Sequence, residues 1–434
     1  GNSMDLIEVL ILVISFIVFI LIGVPVAWGI GLASLLTLLA SIDSFAAVTT
    51  LAQRMATGLD SFTLLAIPFF ILAGQLLNTG GIARRLIDLA KNLIGSLPGG
   101  LAHVNVVAAM LFGAIAGSAI AAASAIGSIL GPRMEKEGYP REFGAAVNIT
   151  SSTVGLLIPP SNILIIYSLA SGGVSIAALF LAGYIPGILT GLSLMLVAAV
   201  WAKKRNLPIG ERTHLRTLFK SFIVALPALF LLFLIIGGIV AGIFTATEAS
   251  AIAVLYTLIL GFVYKELTIH NLPQVLLNSA KTTSVVLLLI ATSIGMSWVM
   301  SFENIPQNVT EFLLSLSDNK FVILLIINLI LLFVGIFMDM TPAVLIFTPI
   351  FLPVVVSLGI DPTHFGIMMI LNLSIGLCTP PVGSVLFVGV GVANTTIVKV
   401  VKPLLPLFIA MLIALLLVTF LPQLSLWLPN LFGY

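Results

Sequence analysis

Residues 155–162 read GLLIPPSN, and residues 376–383 read GLCTPPVG. In the first, apolar residues run up to the prolines at Leu156, Leu157 and Ile158 and resume at Ile163, Leu164, Ile165 and Ile166. A proline inside a helix removes a backbone donor and clashes with the preceding turn, so each Pro-Pro pair breaks its helix. Two like interruptions, 221 residues apart, are what the rest of the sequence has to explain.

Of the 434 residues, 60% are hydrophobic and 8% charged. That balance excludes an ordinary soluble domain and indicates a polytopic, all-α membrane protein. The single cysteine, Cys378, excludes an internal disulfide and a multi-cysteine metal site. Gly1–Ser3 precede Met4 and are set aside. The first apolar run, from about Leu6 to Ile22, leads into GVPVAWG and is read as a retained span.

Runs of roughly 17–25 apolar residues can cross a bilayer. They place spans near 6–23, 25–41, 62–78, 142–171, 176–201, 221–241, 248–264, 282–301, 364–394 and 403–421. Segments 104–132 and 321–358 fit awkwardly. If 104–132 crossed, Arg133, Lys136 and Arg141 would lie opposite Arg84, Arg85 and Lys91, against the positive-inside bias. If both segments enter and return on one face, 16 of the 18 basic residues share a side, with only Arg54 and Lys320 opposite. Two re-entrant hairpins are therefore expected, with both termini periplasmic. GAIAGSAIAAASAIGS (113–128) has the small residues such a hairpin needs, although a tight helix–helix seam reads the same way. GIFMDMTPAVLIFTP (335–349) carries an acid and prolines where the second would turn.

Sliding the chain on itself by 221 positions gives eight identities over residues 129–160, five of them glycine or proline. Gly155 meets Gly376, Pro159 meets Pro380, and Pro160 meets Pro381. The topology makes the copies inverted. Repeat 1 is expected over 5–201 and repeat 2 over 221–434, with a transport part of 104–171 plus 321–394 and a scaffold of the remainder. Broken helices meeting at mid-membrane are a recurring plan of secondary transporters, with substrate and ions held at the breaks.

The pieces IPFFILAGQLLNTGGIARRL, GSAIAAASAIGSILGPRMEKEGYPREFGAA, GLLIPPSN, GIFTATEASA, GIFMDMTPAVLIFTPIFLPV and CTPPVG thread nearly the whole chain. As a set they resemble the large membrane subunit of tripartite ATP-independent periplasmic (TRAP) transporters. The resemblance implies an elevator-type sodium-coupled importer in a bacterial inner membrane, using no ATP. It also implies a small membrane subunit on a separate polypeptide, a periplasmic binding protein, and an organic-acid substrate such as a sialic acid or C4-dicarboxylate.

Sodium wants several oxygens, mostly carbonyls and hydroxyls. The repeat offset pairs Ser118 with Asp339 at the two hairpin turns. Ser118 with carbonyls near Gly155, Ile158 and Pro160 makes one candidate sodium site. Asp339 and Thr341, with Gly335 and carbonyls near Gly376, Thr379 and Pro381, make the other. Asp339 could also simply cap a helix, and Ser118 could be a packing residue. Ser151, Ser152, Ser161, Asn162, Gly383 and Ser384 are the polar or flexible positions expected nearest the substrate.

Glu248, after Thr245 and Thr247, reads as a helix-start residue. The amphipathic stretch 80–95 reads as an inner interfacial arm, with 305–316 its outer counterpart. No GxxxxGK[ST] phosphate loop occurs, which disfavours an ATP-driven pump. His103, His214, His270 and His364 lack metal-ligand spacing and read as surface or boundary residues. Neither an enzyme nor a nucleic-acid binder is expected. A stand-alone sodium/carboxylate symporter is the alternative, and a channel would show no saturable exchange.

Overall fold

The computed structural model describes residues 2–79, 81–116, 118–380 and 382–434. The first half runs α1 (Asn2–Leu21), α2 (Val26–Ser41), α3 (Ser44–Gly58), α4 (Ala66–Thr79), the arm α5 (Ile82–Ile94), α6 (Gly100–Ala116), α7 (Ala119–Lys136), α8 (Arg141–Val154), α9 (Asn162–Ala170) and α10 (Ile176–Lys204). The second runs α11 (Leu215–Val240), α12 (Ala246–Val263), α13 (Leu272–Phe302), the arm α14 (Ile305–Leu316), α15 (Lys320–Phe337), α16 (Met340–Ser357), α17 (Pro362–Leu377), α18 (Ser384–Val392), α19 (Ile397–Phe420) and α20 (Gln423–Leu431). Among the described residues, seven helices are long and apolar enough to cross a bilayer, or nine if each of two bent pairs is one span.

The repeat governs the architecture. Helices α7, α8 and α10 begin at residues 119, 141 and 176, and α16, α17 and α19 begin at 340, 362 and 397, each 221 later. The halves differ at one place. The expected spans 25–41 and 62–78 leave 42–61 between them, but the chain forms α3 there and bends by 71° into the helix ending at Thr79. Its counterpart is the single 31-residue α13, longer than the 282–301 span expected. Gly58, Asp60 and Ser61 at the bend align with Ser279, Lys281 and Thr282, and a Cβ on Gly58 would stand 2.7 Å from Ile294, so glycine there lets the bent pair pack on α13.

Two groups of helices result. In one, α2 packs on α1 and α13, α4 on α12 and α13, and α11 on α12. In the other, α6 and α7 pack on α8, α15 and α16 pack on α17, and α7 packs on α18 while α16 packs on α9. Each post-break half-helix thus lies on the other repeat's hairpin. The broken helices are enclosed on every side: residues 143–154 of α8 and 363–377 of α17 are all buried. Such all-round burial marks the centre of a bundle.

Two histidines depart from the surface reading. His364 is 2% exposed, its ring nitrogens 3.2 Å from Ser425 Oγ and from the Thr419 carbonyl. His103 is also buried, with Nε2 2.7 Å from the Pro98 carbonyl. His364 ties α17 to α19 and α20, and His103 ties the first turn of α6 to the loop before it. At α12, Thr245 is the cap and accepts from the Glu248 N–H at 3.2 Å, with Glu248 in the first turn as expected.

Candidate functional site at the hairpin tips and helix breaks

The two hairpin turns are built alike. Ser118 caps α7, its hydroxyl accepting from the Ala121 N–H at 3.2 Å. Asp339 caps α16, its carboxylate accepting from the Met340 N–H at 2.9 Å. Capping uses only part of what these oxygens offer, since an ionised carboxylate has about four acceptor positions. Capping at both tips therefore leaves oxygen acceptor positions free.

Behind the tips, each hairpin meets its broken helix backbone to backbone. Gly113 of α6 lies on Gly155, where an added Cβ would stand 3.2 Å from the partner's Cα. Gly335 of α15 lies on Gly376 more tightly, with an added Gly376 Cβ only 2.6 Å from the Gly335 carbonyl carbon. Only glycine permits this approach, and it brings the hairpin tip to the level of the break.

The α8–α9 break bends the helix by 50°. There the Ile158 N–H donates to the Gly155 carbonyl at 3.2 Å, and Ser161 Oγ donates to the Leu156 carbonyl at 2.7 Å. Ile158 and Pro160 are buried in the connecting loop. At the second break, the Thr379 N–H donates to the Gly376 carbonyl at 3.1 Å, and Thr379 Oγ1 donates to Ile375 at 2.7 Å. Gly383 adopts φ +52°, with the Leu377 and Thr379 carbonyl oxygens 2.8 and 2.9 Å from where its Cβ would stand. Its N–H donates to the Ile336 carbonyl at 3.3 Å, tying break to hairpin. Pro381 lies outside the described residues.

A cavity of about 450 Å³ opens between these elements and the other helix group. Its wall includes Ser118, Asp339, Thr341, Asn162 and Ser384, so residues expected at the ion sites and at the substrate meet around one space. Asn162 and Ser384 open the half-helices α9 and α18, and Asn162 Oδ1 and Ser384 Oγ are buried without a hydrogen-bond partner. A buried polar atom left unpaired costs about 1–3 kcal/mol, so these two atoms are candidate ligand contacts. Among the described residues, no lysine or arginine lines the cavity. An anion there would rest on hydroxyls, amides and helix amino ends.

Four positions expected at the substrate are absent from that wall. Ser151 and Ser152 are 0% exposed inside α8, with Ser151 Oγ donating to the Val147 carbonyl at 2.6 Å. Ser161 is committed to Leu156, and Gly383 sits behind Ser384. The opposite wall holds groups the sequence reading missed: Gln75 and Asn78 of α4 and Thr282 of α13. Two amides three residues apart put both on one face of an otherwise apolar helix, which is the signal that could have found them.

An inverted-repeat bundle with hairpin tips and helix breaks around a central cavity defines a secondary-transporter architecture. The family model described as tripartite ATP-independent periplasmic transporter, DctM component, matches residues 13–424. The chain belongs to this family. It is 57% identical to the uncharacterized protein YgiK of Salmonella typhimurium over 98% of both chains. It is 40% identical to the C4-dicarboxylate TRAP transporter large permease protein DctM of Rhodobacter capsulatus, over 96% of this chain and 98% of that one. It is also 40% identical to the sialic acid TRAP transporter large permease protein SiaM of Vibrio cholerae, over 95% and 96%. Among solved structures, the YdaH transporter of Alcanivorax borkumensis superposes with a TM-score of 0.66 at 15% identity, covering 91% of this chain and 90% of that one. That likeness shows a shared fold. The protein is thus a multi-pass, ATP-independent transporter permease and not an enzyme.

Proposed function

We propose that this permease carries out sodium-coupled import of a small organic acid, of the sialic acid or C4-dicarboxylate type, received from a periplasmic binding protein. It does so beside a small membrane subunit in a bacterial inner membrane, with both termini periplasmic. The observation that carries this reading is the convergence of Ser118, Asp339 and Thr341 with the unpartnered Asn162 and Ser384 around one cavity. Oxygen donors alone, with a single carboxylate, suit a hard monovalent cation. One sodium would be held by Ser118 and carbonyls of Gly155, Ile158 and Pro160. The other would be held by Asp339, Thr341 and carbonyls around Gly335, Gly376, Thr379 and Pro381. Bound sodium then supplies the positive charge that the wall lacks for a carboxylate. Residues 104–171 with 321–394 move as the transport part against the remaining helices, elevator fashion. Helices α10 and α19 pack on α8 and α17 and mark where that boundary should be tested.

The test is reconstitution of this chain with its small subunit in liposomes. Uptake of a sialic acid and of a C4-dicarboxylate is measured with and without an inward sodium gradient and the cognate binding protein. Uptake requiring both is expected. Sodium-driven uptake indifferent to the binding protein would make this a stand-alone symporter, and uptake indifferent to sodium would remove the coupling ion.

A further inference from the structure

The connection between the two repeats carries an uncovered basic surface. Lys203, Lys204, Arg205, Arg212, Arg216 and Lys220 are opposed there by a single acid, Glu211, and all seven are exposed. Arg205 lies over the Trp201 ring, 4.5 Å from its centroid. None of the six cations takes part in an ion pair among the described residues.

The same stretch is apolar on its neighbouring face. Helix α11 stands clear of the bundle at this end: no residue of 215–224 is buried, and the first buried one is Ala225. Leu215, Phe219, Phe222 and Leu226, at i, i+4, i+7 and i+11, form one stripe of the helix. All four are exposed, Leu215 at 81%. Arg216 and Lys220 make the adjacent row, one turn apart. Apolar side chains beside long cationic ones suit a membrane interface, where the first enter the acyl region and the second reach headgroup phosphates. Water would leave the stripe uncovered. A neutral leaflet would cover the stripe and leave the charges unpaired, whereas an anionic leaflet satisfies both. The cations are also spread along the connection, as a field of headgroups requires.

The connection is pinned to the arm α5. A Cβ on Gly210 would stand 2.5 Å from the carbonyl oxygen of Gly95, at the end of that arm. Asn92 Nδ2 of α5 donates to Ser221 Oγ of α11. Residues 95–100, GSLPGG, then lead into α6, with Gly99 at φ +76°. Fixing the connection at the membrane surface therefore fixes the end of the arm from which the first hairpin hangs.

We propose that residues 203–220 bind anionic phospholipid headgroups in the leaflet at the basic face, and that this contact holds the end of α5 at the membrane surface while the hairpin moves. The contact stands on charge and exposure. Its role in holding the arm rests on the transport reading.

The experiment uses the full chain with its small subunit, in bilayers of phosphatidylcholine with or without phosphatidylglycerol. In a Cys378→Ala background that removes the only cysteine, Leu215→Cys or Phe233→Cys carries a bimane fluorophore. Phe233, 73% exposed on the same helix, is the control away from the basic row. Doxyl-labelled phosphatidylglycerol should quench the label at 215 several-fold more than doxyl-labelled phosphatidylcholine, and the two should quench alike at 233. Arg212→Gln, Arg216→Gln and Lys220→Gln together should erase the preference. Glutamine keeps helix propensity, so thermal unfolding in detergent should not move. The triple variant should also lose a several-fold gain in uptake that phosphatidylglycerol gives the parent. Equal quenching at 215 in the parent overturns the proposal, as does a preference that the triple variant retains. A label that neither lipid reaches would give the surface to the small subunit, and a preference abolished by inorganic phosphate but not by chloride at equal ionic strength would make it a soluble-anion site. Either result overturns the lipid contact. Preferential quenching with uptake indifferent to phosphatidylglycerol overturns the role in holding the arm. Uptake absent from every bilayer would count against the transport reading, while the quenching still decides the lipid contact.

Discussion

Asp339 caps α16 and is proposed to hold sodium, and substitution can separate the two roles. Asparagine caps a helix about as well as aspartate but carries no charge, so Asp339→Asn keeps the bond to the Met340 N–H. That variant should unfold at the parent's temperature yet need several-fold more sodium for half-maximal uptake. Asp339→Ala should show the same sodium defect and lose about 1 kcal/mol of stability as well. Equal sodium dependence in parent and Asp339→Asn would reduce Asp339 to a cap. Asn162 permits the converse separation. Its Oδ1 is buried and unpartnered, so Asn162→Ala removes an unsatisfied group at little cost to the fold. Uptake assays should find KM raised while thermal unfolding is unmoved. At Gly376 the expectation is structural: a methyl 2.6 Å from the Gly335 backbone cannot be absorbed by a side-chain shift. Gly376→Ala should cost about 1–3 kcal/mol in thermal unfolding and abolish uptake by lifting the hairpin from the break.

The elements show what a sequence can and cannot display. The Pro-Pro breaks, the Gly and Ser hairpin and the helices α5 and α14 were legible because their causes are local: a missing donor, a missing Cβ, an apolar stripe at helical spacing. Helix α3 was not, since SFAAVTTLAQRMATG is too polar to read as a span, and its 71° turn into α4 depends on packing against α13. Ser151 and Ser152 were assigned to the substrate because of their nearness to Gly155 in the chain. The helix buries both side chains within the bundle, and the cavity forms where α9 and α18 begin instead. Gln75, Asn78 and Thr282 were missed for the complementary reason. Their role is visible only once α4 and α13 face the hairpin tips.

Across the whole molecule, the cavity is a boundary between two bodies of helices, and an elevator cycle requires that boundary to slide. A tether across it should stop transport, whereas a tether within one body should not. In the Cys378→Ala background, Asn78→Cys with Thr341→Cys places one thiol on each wall of the cavity, and Ser118→Cys with Thr341→Cys places both on the hairpin tips. A short bifunctional methanethiosulfonate should bridge the first pair and arrest uptake, and a reductant should restore it. Bridging the second pair crowds the ion and substrate sites, so its informative readout is movement. Accessibility of a thiol at Ile67, on the α4 wall, should still alternate between the two faces of the membrane. If the first tether leaves uptake running, the two walls do not move past one another. Ions and substrate would then have to reach both faces through rearrangement of the tips alone, which the tight Gly335–Gly376 and Gly113–Gly155 contacts oppose.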